Sequence, residues 1–169
     1  MKSKLINKIF NLLKKKRVPL KPISHNTIHS SEDRALEKYL AGKNFSSMSH
    51  YNQKLIVYDI GFLNHEAFRY YIFELILLVL EEKNLFSDDA FIQELFFSDY
   101  NRDKLLKFNN EERTIIIDFF ELLLDEIDEV IGDREKYNQL EAWEQEEVYN
   151  SFKGWEEDMK RAILIWKEL

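Results

Sequence analysis

The residues first weighed for chemistry are the four histidines, because imidazole alone changes charge near neutral pH without a special environment. His25 and His29 lie in a polar stretch, His50 opens a short helical segment and His65 sits at a helix cap. Neither His-Glu-x-x-His nor Glu-x-x-His occurs, so no imidazole shares a helical face with a second ligand at metal-site spacing. With no cysteine, disulfides, thiolate chemistry and Cys-based zinc sites are excluded. The chain has no Asp-x-Asp-x-Asp-Gly calcium loop, and its four glycines are isolated from one another, which removes phosphate-cradling loops and nucleophile elbows. The expectation is no catalytic residue, no metal and no cofactor, and a chain that leans away from enzymatic activity.

Two groups of residues remain. Arg69, Tyr70, Tyr71 and Glu74 interrupt an otherwise apolar helix with polar chemistry, and a buried charge must be paired to be tolerated. Glu66, one turn before Arg69, is placed to hold it, with Glu74 snorkelling or pairing across helices. The functional alternative is a small pocket lined by the tyrosine hydroxyls. The second group is acidic. Glu121, Asp125, Asp128 and Glu129 recur three or four residues apart and crowd one surface of a long helix. Glu141, Glu144 and Glu147 follow in the tail, with Trp143 and Trp155 as aromatic anchors for a partner. A solvent-facing row does not drive two carboxyl pKa values apart, so it suits a solvated face or a docking patch better than acid–base catalysis.

The element that must position the first group is the segment from Leu63 to Lys83. Leu75 to Leu80 is an unbroken aliphatic run preceded by Phe68, Tyr70, Tyr71 and Phe73, so a helix here is apolar all round and buried. Asn64 caps it, Glu66 meets the helix dipole and Leu63 can staple onto Phe68. The aliphatic run falls far short of the roughly 18 to 20 residues needed to span a bilayer, and Arg69 and Glu74 would lie in lipid. The second group rides on a helix over 110–131, opened by the capping-box pair Asn109 and Glu112 and closed by Gly132. Its stripe Ile116, Phe119, Phe120, Leu123, Ile127 and Val130 is widened by Ile115, Ile117, Leu122 and Leu124, enough for two neighbours, the central helix being one.

Shorter pieces complete the set. Ser30 and Ser31 begin a helix through Ala41 that buries Leu36, Tyr39 and Leu40 and stops at Gly42. A second runs from about Ser47 to Tyr58, burying Tyr51, Leu55 and Tyr58. Gly61 supplies a left-handed residue before the central helix. Phe86 to Asp89 caps a helix with Phe91, Ile92, Leu95 and Phe96, and Leu105 and Leu106 fall in a turn. The tail from Asp133 is helical, carries Trp155, Met159, Ile163 and Trp166 at amphipathic spacing, and offers a break at Gly154. The fold class is all-α: a single-domain irregular helical bundle around a buried central helix, about 64–83, packed against a second long helix, about 110–131.

Charge is distributed unevenly. Residues 1–22 hold eight of the 24 basic residues and no acid, which leaves 16 cations against 31 acids in the rest, a net charge of −15. Leu5, Ile6, Ile9, Phe10, Leu12 and Leu13 lie on one face of this leader with Lys4, Lys8, Asn11 and Lys15 opposite, a basic amphipathic helix fit for an anionic membrane through residues 2–17 or for packing on its own acidic body. It makes a poor secretory signal, since Asn7, Lys8 and Asn11 interrupt its apolar residues. Pro19 and Pro22 end it, and the segment 18–29 reads as a linker. The domain division is therefore 1–22 as leader, 23–29 as linker and 30–169 as an acidic helical domain.

Ser31-Glu32-Asp33, then Gly42-Lys43, then Phe62-Leu63-Asn64-His65-Glu66-Ala67-Phe68-Arg69-Tyr70-Tyr71, with Phe108 to Leu124 downstream, resembles a family of small bacterial all-helical proteins of unknown function. In that family an acidic stretch and Gly-Lys precede a Phe-Leu, Glu-Ala-Phe-Arg-Tyr-Tyr-Leu-Pro-Ala segment. Here Ile72-Phe73-Glu74 stands where the family has Leu-Pro-Ala, so a proline kink is absent. The resemblance covers about residues 30–130 and implies a helical fold without naming a chemistry.

An acidic body argues against nucleic acid, which needs clustered cations. The expectation is a cytoplasmic, non-enzymatic interaction module, concretely a toxin-immunity or inhibitor protein meeting a basic protein partner. The alternatives are a peripheral protein tethered to the inner face of the membrane by its leader and an enzyme of unfamiliar constellation.

Overall fold

A computed structural model describes residues 1–23, 31–48, 60–81, 102–132 and 142–169, and the side chains of these except 31–33, 45, 102, 128–132 and 142–152. Among the described residues there are six α-helices and no strand: α1 Lys2–Lys15, α2 Ser31–Leu40, α3 His65–Glu81, α4 Arg102–Leu105, α5 Asn110–Gly132 and α6 Ala142–Glu168. The chain folds as an all-α bundle. The expected helix over 47–58, the capped segment from Phe86 to Phe96 and the break at 99–101 fall outside the described residues, apart from a 3-10 turn at Phe45–Ser47.

α3 is the axis of the core. Ala67, Phe68, Tyr71, Ile72, Phe73, Leu75 and Ile76 are wholly buried, as an all-round apolar sequence requires. The Asn64 side chain accepts the Ala67 N–H at 3.0 Å, satisfying one of the orphan donors of the first turn. α1 lies against both α3 and α5, while α5 makes its most extensive contact with α6. Phe108 ties these parts together, edge-on to Phe68 at 6.1 Å and to Trp166 at 5.3 Å.

The basic leader packs on its own body. Leu5, Ile9 and Leu12 are buried in the same core as α3, and Lys8, Lys15 and Lys16 pair with Asp118, Glu111 and Glu112 of α5. Phe10, expected on the apolar face, is 44 % exposed, because the contact stripe is only as wide as Leu5, Ile9 and Leu12. Residues 18–23, expected as linker, are pinned extended chain. Pro19 and Pro22 accept the N–H groups of Gly42 and Asn64 at 2.8 Å each, and Ile23 bridges to Leu63 and is buried.

Three further expectations change. Tyr39 is exposed, since Leu36 and Leu40 face the core from the described part of α2. Gly61 is not left-handed: it lies in the 3-10 turn Ile60–Phe62, and its carbonyl accepts the Lys104 ammonium. Among the described residues the left-handed one is Gly42, φ +68, ending α2 as expected. α6 runs unbroken through Gly154, whose roughly 1 kcal/mol propensity penalty is outweighed by burial of Met159, Ala162, Ile163 and Trp166. None of the described helices is long and apolar enough to cross a membrane.

Replacing Ile9, fully buried, with Ala should cost about 2–4 kcal/mol in denaturant unfolding, whereas Phe10→Ala should change stability by about 0.5 kcal/mol or less. Equal, small effects would show that α1 is not part of the cooperative core.

Candidate functional site

The polar centre of the molecule is built where three elements meet: the end of α1, the first turns of α3 and the N-terminus of α5. The local cause is the capping box. Asn109 accepts the Glu112 N–H on its side-chain oxygen at 3.0 Å, and the Glu112 carboxylate accepts the Asn109 N–H at 2.8 Å. That reciprocal pair holds Glu112 inside the fold, where it is the one buried charged residue among those described, at 0 % exposure.

A bare carboxylate could not stay there. One terminal nitrogen of Arg69 reaches both its oxygens, at 2.9 and 2.8 Å, and the Lys16 ammonium donates to the same carboxylate. Lys16 also donates to the Arg69 carbonyl at 3.1 Å and lies 5.3 Å over the Phe73 ring, while Arg69 lies 5.9 Å over Phe108. Burial pushes the Glu112 carboxyl up, but hydrogen bonds from Lys16, the Asn109 amide and Arg69 outweigh it and hold the group below its ordinary 4.5. Lys16 moves the other way from a simple ion pair. Its burial, aided by the neighbouring Arg69 charge, outweighs the attraction of Glu112 and lowers the ammonium below its ordinary 10.5. Two cations therefore share one carboxylate.

This arrangement corrects the expectation for Arg69, which turns to Glu112 across helices and not to Glu66 on its own. Glu66 is exposed at the rim. Glu74 accepts a hydrogen bond from the Tyr70 hydroxyl at 3.1 Å, one turn away. Tyr71 points elsewhere: fully buried, its hydroxyl donates to the carbonyl of Leu40 at 2.6 Å, with that of Lys43 at 2.8 Å, closing the end of α2. Burial, with the negative charge of Glu74, pushes both phenol groups up, so they stay protonated donors. Of the four residues grouped in sequence, Arg69 and Tyr70 line one cleft of about 330 Å³, together with Leu12, Lys15, Lys16, Arg17, Glu66, Asn109, Glu111 and Glu112.

The acidic group lies on the far helices. Glu121 is 45 % exposed and sits 3.5 Å from Lys167 of α6, and Asp125 is exposed. Trp155 is half-buried against the core. Asp128, Glu129, Trp143, Glu144 and Glu147 lie on α5 and α6 with side chains outside the described set, and Glu141 lies outside it altogether. His65 opens α3 and is exposed, whereas His25, His29 and His50 lie outside the described residues. Among the described residues no group of three or more His, Asp or Glu could hold a metal.

Sequence reasoning missed Lys16 and the second role of Glu112. The available signal was an isolated cation in an apolar helix together with a capping-box glutamate one turn before the apolar stripe. No protein-family model, curated protein or solved structure matches the chain.

Glu112→Gln should destabilise the fold by about 3 kcal/mol, because Lys16 and Arg69 lose their shared anion. Since the folded carboxyl lies below its ordinary 4.5, its contribution is present above that pH and is lost as the pH falls through the lower folded value. Stability measured against pH should therefore fall in the wild type below about 4.5 and be flatter there in Glu112→Gln. Tyr71→Phe removes the hydroxyl's hydrogen bonds to the Leu40 and Lys43 carbonyls, the first of which still accepts the Lys43 N–H, and should cost about 1 kcal/mol by the same assay.

Proposed function

We propose that this chain is a non-enzymatic protein-interaction module, in its most concrete form a bacterial toxin-immunity or inhibitor protein that covers a basic partner with an acidic helical surface. The observation that carries the reading is the α5–α6 pair, the most extensive contact among the described helices, with Glu121, Asp125, Glu157 and Asp158 reaching solvent from it. Asp128, Glu129, Glu141, Glu144 and Glu147 would extend that surface, with Trp143 and the accessible part of Trp155 as anchors. Like charge gathered on one side steers a cationic partner and raises the association rate.

Further support comes from the charge balance, since Lys8 and Lys15 of α1, with Lys16 just past it, pair with acids at the start of α5, while Asp125, Glu157 and Asp158 stand exposed farther along the pair. The resemblance around Phe62 to Tyr71 to small bacterial helical proteins belongs to this same proposal, as does a cytoplasmic location. A membrane tether is the weaker reading, because Leu5, Ile9 and Leu12 would have to leave the core before touching lipid.

Glu121→Lys with Asp125→Lys changes two solvent-reaching side chains and should leave the melting temperature nearly unchanged. Binding to the basic product of a neighbouring gene, followed by surface plasmon resonance at low and high salt, should weaken at least about tenfold and lose much of its salt dependence. Reversal at Glu141, Glu144, Glu146 and Glu147 should act in the same direction. Unchanged affinity in both variants would remove the acidic face from the proposal.

A further inference from the structure

The cleft at the end of α1 has a composition that the acidic-surface reading does not use. Its walls carry four cations, Lys15, Lys16, Arg17 and Arg69, against three carboxylates, Glu66, Glu111 and Glu112, in a chain whose net charge is −7. Two of those carboxylates are already committed. Glu112 is wholly buried beneath Lys16 and Arg69, and Glu111 takes the Lys15 ammonium at 3.0 Å. Arg17 stands exposed at the rim with no carboxylate partner among the described residues, and about a third of the Arg69 side chain, 31 %, remains accessible.

We infer that this cleft binds the oxyanion head of a small organic molecule, a carboxylate or a phosphate, between Arg17 and the open side of Arg69. Guanidinium groups present paired N–H donors in a plane that matches such oxyanions, and the site already holds one cation more than its carboxylates neutralise. The N-terminus of the 23-residue α5 faces the same space through Asn109 and Glu111, adding the positive end of its dipole. The volume of about 330 Å³ exceeds what a bare inorganic ion needs, and Leu12 and Tyr70, both in its lining, bring apolar side-chain surface for the organic part. The depressed Lys16 ammonium agrees with this, since a second anion nearby would supply the compensation that Glu112 alone does not.

The test is an amide-shift NMR titration of the full chain with inorganic phosphate and, separately, with acetate, each against chloride at constant ionic strength. Saturable shifts confined to residues 12–17, 66–70 and 109–112 are expected, with the tighter of the two probes naming the head group. Arg17→Gln should weaken binding about tenfold and Glu66→Gln, which removes the one uncommitted carboxylate, should tighten it about threefold. Both side chains are exposed, so neither variant threatens the fold. Non-saturating shifts equal to those in chloride, or affinities indifferent to both variants, would overturn the inference. Because neither substitution touches Glu121 or Asp125, the outcome is independent of partner binding at the acidic face.

Discussion

One buried carboxylate organises the polar interior of this protein. Glu112 joins the capping box of α5 on the core-facing side of the helix, one turn before the buried Ile115 and Ile116, and once there it needs cations from elsewhere in the chain. Arg69 arrives from α3 and Lys16 from just past the end of α1, so a local rule about how a helix begins becomes a tertiary constraint on three elements. Isolated ion pairs at surfaces contribute little. This one differs because none of its carboxylate reaches water and each oxygen is occupied by a donor. The requirement fixes the rotation of α1 and α3 relative to the start of α5 more tightly than apolar contact, which is non-directional, would do.

The apolar part of the fold depends on that registration. Phe73 and Phe108 lie beneath Lys16 and Arg69, and Phe108 carries the packing onward to Phe68 and Trp166. The bundle is thus a layer of aromatic rings roofed by a charged cluster. α1 completes the roof. Its Leu5, Ile9 and Leu12 enter the core while Lys8 and Lys15 bind α5 from outside, so the cationic leader neutralises one edge of an acidic body. Among the described side chains, Asp125, Glu157 and Asp158 of α5 and α6 face solvent, while the cleft at the start of α5 carries four cations against three carboxylates.

Exposed carboxylates and a cation-lined cleft select different chemistry. Exposed carboxylates on a helical pair act at long range, through steering and salt-sensitive association. Guanidinium and ammonium groups such as those lining the cleft act at short range, through directed N–H donors. The tyrosines do not form one hydroxyl-lined pocket, since Tyr71 hydrogen-bonds at the end of α2 while Tyr70 lines the cleft and donates its hydroxyl to Glu74.

The residues alone determine the helices and their ends, because those depend on neighbours three or four positions away. The six aliphatic residues Leu75 to Leu80, the Asn64 and Asn109 caps and the Gly42 stop are all of this kind, and each appears where the local pattern puts it, whereas the apolar stripe of α1 buries only Leu5, Ile9 and Leu12. Only the tertiary structure decides which partner a side chain takes when several are in reach. Arg69 has Glu66 one turn away and still turns to Glu112, 43 positions on, because that carboxylate is buried and the exposed one already has water. Gly154 stays helical and Tyr39 stays outside for the same reason: local preference is worth about 1 kcal/mol or less per residue, and burial of neighbouring apolar groups outweighs it.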